Sequence, residues 1–127
     1  MFKIVPDPTF RAAAELTVPG KDKPVRVVVE WRHRDRNGLQ QWLDDLSPQK
    51  PPATADGEPP KLLPPKLSDV DGLAAVIADW QDVCDPEGKP VPFSKAALRQ
   101  LLDAYHNAGA ELVRAYVRGL TESRLGN

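Results

Sequence analysis

Two stretches near the start of the chain alternate apolar and polar positions with a period of two. In the first, Phe10, Ala12, Ala14, Leu16 and Val18 share one face, with Arg11, Glu15 and Thr17 on the other. In the second, Val25, Val27, Val29 and Trp31 oppose Arg26, Glu30 and Arg32. This period predicts two half-buried strands. Between them, Pro19-Gly20-Lys21-Asp22-Lys23-Pro24 carries the Gly and Pro of a tight reversal. A hairpin is only marginally stable in water, so its apolar face needs a covering layer. Leu39, Trp42, Leu43 and Leu46 supply one, recurring as the stripe of an amphipathic helix. Asp35 is placed to cap that helix and Ser47-Pro48 to stop it, which predicts a helix over 35–47.

The pattern then lapses. Between Ser47 and Lys66 lie prolines 48, 51, 52, 59, 60, 64 and 65, half of the chain's 14, with Leu62 and Leu63 the main apolar residues. Proline removes a backbone donor and restricts the residue before it, so this stretch reads as a loop and a semi-rigid tether. A helical second half follows. Leu73, Val76, Ile77 and Trp80 form one stripe behind a Ser68 cap, with Asp69 and Asp71 favourable at the helix N-terminus. Asp85-Pro86-Glu87-Gly88 reads as a turn. Ser94 caps a third helix bearing Leu98, Leu101, Leu102 and Tyr105. After a break near Asn107-Ala108-Gly109, a fourth carries Leu112, Val113, Tyr116, Val117 and Leu120. The expected architecture is α+β in a single domain over residues 1–127. It comprises a hairpin with its packed helix (1–47), a proline-rich loop (48–66) and a mainly helical part (67–127).

Composition narrows the function more than the fold. With 41% hydrophobic and 28% charged residues, the chain has the balance of a globular domain rather than a disordered one. A formal net charge of -1 gives no global attraction to nucleic acid or to an anionic membrane. No apolar run approaches the roughly 18 residues of a membrane span. The start, Met1-Phe2-Lys3-Ile4-Val5-Pro6, lacks the pattern of a signal peptide, so a cytoplasmic location is expected. Cys84, the single cysteine, reads as a partly buried thiol in a reducing compartment.

Candidate chemistry is sparse. His33 lies among Arg32, Arg34 and Arg36, which disfavours a metal cation, and His106 falls at a helix end without a second donor at ligand spacing. Asp82, Asp85 and Glu87 precede Gly88 much as in a calcium loop, but the twelfth position is Phe93 where a bidentate Glu is required. Gly57, Gly72 and Gly88 are isolated and make no phosphate loop. Ser94 is accounted for by capping, and Asp44-Asp45 by a solvated helix face. No metal, cofactor or catalytic residue is assigned, and an enzyme is not expected. The clearest charge feature runs from Lys21 to Arg36. There Lys21, Lys23, Arg26, Arg32, Arg34 and Arg36 face Asp22, Glu30 and Asp35. This segment supports an alternative reading, a small module binding nucleic acid or an acidic partner.

One run is more specific. Trp80-Gln81-Asp82-Val83-Cys84-Asp85-Pro86-Glu87-Gly88-Lys89-Pro90-Val91-Pro92-Phe93-Ser94 resembles the central motif of tail assembly chaperones from long-tailed (siphovirus-type) phages and prophages. In that family a tryptophan ends one helix, an acidic Gly turn follows, and a Pro-Phe-Ser/Thr step opens the next. Trp80, Gly88, Pro92, Phe93 and Ser94 match, and Leu98, Leu101, Leu102, Tyr116 and the terminal Gly126-Asn127 fit as well. The motif reads as architecture, with Trp80 packing on Phe93 across the turn, Pro90 and Pro92 stiffening the approach, and Ser94 satisfying an orphan amide.

The resemblance implies a protein of the bacterial host cytoplasm, absent from the mature virion. It implies binding to the tape measure protein, whose hydrophobic helices it keeps soluble, and recruitment of the major tail (tube) protein. It is also compatible with self-association and with a longer frameshifted product. It gives no membrane partner, and nucleic acid is not expected. The partner contact is expected on the last helix, at Val113, Tyr116, Val117 and Leu120, together with the proline-rich tether.

Overall fold

The computed structural model describes residues 2–49 and 63–122. Strands β1 (Thr9–Leu16) and β2 (Val25–Arg32) form the expected hairpin, in register from Thr9 opposite Arg32 to Leu16 opposite Val25. The reversal uses Gly20 at positive φ and closes with Lys21 N–H donating to the Val18 carbonyl at 3.1 Å. Helix α1 (Arg36–Leu46) follows, its N-terminus capped by the Asp35 carboxylate accepting from Gly38 N–H at 2.7 Å. Three further helices are α2 (Asp69–Val76), α3 (Lys95–Ala104) and α4 (Ala108–Thr121). Ser68 and Ser94 cap α2 and α3 through their hydroxyl oxygens, as their positions in the sequence foretell. The fold is α+β, with an N-terminal hairpin.

The predicted helix through Trp80 is corrected. α2 ends at Val76, and Ile77–Trp80 form a third strand, β3, antiparallel to β2 and giving the order β1-β2-β3. The register explains why the periodicity misled. Trp80 lies opposite Val29 and Asp79 opposite Glu30, but Ile77 lies opposite Trp31, so Ala78 is an extra residue on β3. Such a bulge lets Ile77 and Trp80 face the same side of the sheet although they are three residues apart. The same i, i+3 spacing marks one face of a helix. The β-branched pair Val76-Ile77 and the open edge of β2 favour the strand. Trp80 therefore ends a strand, not a helix as the resemblance implied.

One face of the sheet is packed and the other meets solvent. Ala14, Leu16, Val27, Val29, Trp31, Ile77 and Trp80 join Trp42, Val70, Leu73, Val76, Leu98, Leu112 and Tyr116 in one core. At its centre, Tyr116 of α4 stacks on Phe10 and lies 5.2 Å from the Trp31 ring and 5.0 Å from the Trp42 ring. Its hydroxyl donates to the Arg32 carbonyl at 2.7 Å. The Trp42 indole donates to the Gly72 carbonyl at 2.9 Å, tying α1 to α2. Helix α4 runs back along β1. Glu111, near its start, accepts from Thr17 N–H at 3.0 Å and from the Thr17 hydroxyl at 2.7 Å. Gly119, near its end, sits so close to β1 that a Cβ there would be 2.7 Å from Phe10 Cε2.

Most of the proline-rich stretch lies outside the described residues. Its two ends do not, and they meet. Gln49 and Leu63 exchange backbone hydrogen bonds of 3.0 and 2.8 Å, and Leu67 N–H donates to the Asp45 carbonyl at 2.9 Å. The segment between them joins adjacent points rather than spanning a gap between two halves.

Candidate functional site

The central motif folds into a small arm that braces the start of α3. Asp82 follows β3 at a φ of 64°, a left-handed conformation that Asp tolerates better than most residues. Asp85 then organises the turn, its carboxylate accepting from Glu87 N–H and Lys89 N–H at 2.9 Å each. Gly88 takes a φ of 83°, which a side chain would oppose. Backbone bonds from Asp85 to Lys89 and from Val91 to Val83 zip the arm together. Trp80 closes it onto the body. Its indole donates to the Val91 carbonyl at 2.8 Å, and its ring meets Phe93 edge-on at 5.0 Å. Trp80, Phe93 and Ser94 thus act as one structural unit, while Pro92 is exposed. Cys84 sits on the arm and is exposed, not partly buried, because the bridge between Cys84 and Pro90 projects it from the core.

The four candidate contact residues of α4 separate. Tyr116 is wholly buried and cannot meet a partner. Burial pushes its phenol up to about 12, with the Arg34 guanidinium beside it pulling the other way. Val113, Val117 and Leu120 are half-buried and fall on one helical stripe. Val113 lines a mainly apolar groove where α1, the start of α2 and α4 meet, with Leu43, Leu46, Leu67 and Ala110. The sequence flagged Val113 through the periodicity of its own helix. Apart from Ala110, one turn away on α4, its neighbours in the groove come from α1 and the approach to α2, so only packing brings them together.

The basic segment does not form one patch. Lys21, Lys23 and Arg26 lie at the turn end of β2, and Arg32, Arg34 and Arg36 at the other, about 20 Å of strand away. Arg34 is drawn inward, and its Nε is buried without a hydrogen-bond partner. A second groove, about 410 Å³, follows the outer edge of β1 beneath α4. There Lys21, Lys23 and Arg26 join Arg11, Arg114 and Arg118, with Glu15, Asp22, Glu111 and Glu122 interleaved. Mixed charge of this kind suits a protein surface better than a phosphate backbone.

The Asp71 carboxyl is held below its ordinary value by its hydrogen bond with Lys95, then by Ser68, an arrangement that joins α2 to α3 on the surface. Among the described residues no cluster of three or more His, Cys, Asp or Glu side chains is placed to hold a metal ion. No described helix is long and apolar enough to cross a membrane.

These features define a small α+β protein with surface grooves and an open strand edge. The chain belongs to a phage tail assembly chaperone family, whose model matches residues 1–127. No curated protein and no solved structure gives a significant match.

Proposed function

We infer that the protein works in the host cytoplasm, holding the tape measure protein soluble and bringing tail tube subunits to it. The full-length match to the tail assembly chaperone family carries this reading. The groove lined by Leu43, Leu46, Leu67, Ala110 and Val113 supports it, since an amphipathic helix places apolar residues at i, i+3, i+4 and i+7 into such a channel. Val117 and Leu120 extend the stripe along α4, and Tyr116 supports it from within. Binding of this kind needs no covalent chemistry, only reversible burial of apolar surface.

Co-expression with the longest helical protein encoded just downstream tests the reading. The expected result is a partner insoluble alone but co-purifying in a many-to-one complex. Val113→Ala should weaken that complex while lowering the melting temperature of the chaperone by only a few degrees, because Val113 is half-buried against the core. A partner that stays insoluble and unbound would sink the reading.

A further inference from the structure

The free edge of β1 has a definite phase. His33 N–H donates to the Pro8 carbonyl at 2.9 Å, and the register pairs every residue of β1 with one of β2. Inward and outward hydrogen bonding alternates along an antiparallel strand. Residues 8, 10, 12, 14 and 16 therefore turn their backbone groups to β2, while Thr9, Arg11, Ala13 and Glu15 turn theirs outward. Thr17 obeys the same phase, its outward N–H being the one taken by Glu111. Among the described residues, nothing takes the outward groups of Arg11, Ala13 and Glu15. They line the groove beneath α4.

The segment leading into β1 exposes apolar side chains. Phe2 is 98% exposed, Ile4 95% and Val5 77%. A type I′ turn cannot fold it back onto its own strand. Such a turn needs positive φ at both central positions, and Pro6 and Pro8 are held near −65°.

We propose that two copies of this chain pair through residues 3–15, antiparallel about Thr9, each arm lying on the free β1 edge of the other beneath its α4. In this register Val5 opposes Ala13 of the second copy, Lys3 opposes Glu15, and Asp7 opposes Arg11. Both charge pairs are complementary and both recur by symmetry. The exposed Lys3–Asp7 contact of 3.1 Å is exchanged for them. Pro6 and Pro8 fall at the positions whose backbone points away from the partner strand, where a missing N–H costs nothing. Phe2 and Ile4 turn to the α4 side and leave water. Two three-stranded sheets become one continuous sheet, and the interface is isologous and closed. Only this chain enters it, so it stands whatever partner the chaperone serves.

Sedimentation equilibrium on the full chain tests the pairing. Wild type should dimerise. Asp7→Arg and Arg11→Asp should each weaken the dimer roughly tenfold or more, since like charges then face each other twice. The double variant should restore it. These side chains are exposed, so at concentrations where the chain is monomeric the melting temperature should hold throughout. In a Cys84→Ser background, a Val5→Cys chain mixed with an Ala13→Cys chain should form a disulfide-linked heterodimer on mild oxidation. A monomer at every concentration, a dimer indifferent to Asp7→Arg, or a cross-link that forms only within a doubly substituted chain would each overturn the proposal.

Discussion

Trp80→Ala is the most informative single perturbation of the fold. The side chain is only 6% exposed, lies edge-on to Phe93 at 5.0 Å, and donates to the Val91 carbonyl at 2.8 Å. Removing a buried tryptophan typically costs about 3–5 kcal/mol. Within that loss, the ring pair accounts for about 0.5–1.5 kcal/mol and the indole hydrogen bond for about 1 kcal/mol. A domain of this size has a total stability of about 5–15 kcal/mol, and 1 kcal/mol moves its melting temperature by about 3–5 °C. The substitution should therefore lower the melting temperature by about 10–20 °C, read by circular dichroism and checked by urea titration. A double-mutant cycle with Phe93→Ala should give a coupling of about 0.5–1.5 kcal/mol. Loss of binding with an unchanged melting transition, or strictly additive single substitutions, would refute the assignment of this motif to architecture.

Three further outcomes follow from other contacts. Ser94→Ala should cost about 1 kcal/mol in urea unfolding, because Ala97 N–H loses its acceptor. Gly119→Val should destabilise by about 1–3 kcal/mol through collision with Phe10 and Ala12. Gly119→Ala should lose less, since alanine recovers about 1 kcal/mol of helix propensity; equal stability of the valine variant and wild type would contradict the packing of α4 on β1. The raised pKa of Tyr116 means that the folded state holds the phenolic proton more tightly than the unfolded chain. Its contribution is complete below about pH 10 and is lost as the pH rises toward about 12. Tyr116→Phe should be less stable at neutral pH through loss of the bond to Arg32, yet lose less between pH 9.5 and 11.5 than wild type. Melting curves across that range, compared pairwise, decide it.

Local chemistry determined much of this protein before any tertiary contact is considered. The two-residue period set the buried faces of β1 and β2, and Asp35, Ser68 and Ser94 set the starts of three helices. The Trp80–Phe93 contact was legible because Gly88 and the prolines leave few paths across so short a turn. What the sequence could not determine was every feature in which distant residues choose between local alternatives. Ile77 and Trp80 carry a spacing shared by a helix and a bulged strand, and only pairing with β2 selects the strand. Tyr116 shares a helical stripe with Val113 and Val117, but the aromatic rings of Phe10, Trp31 and Trp42 draw it alone into the core. Gln49 and Leu63 flank a proline-rich stretch that reads as a tether, and their mutual hydrogen bonds bring its ends together. The outward phase of Arg11, Ala13 and Glu15 likewise exists only once β2 has taken the other edge. Periodicity and capping act within a few residues, whereas pairing and burial are settled by partners remote along the chain.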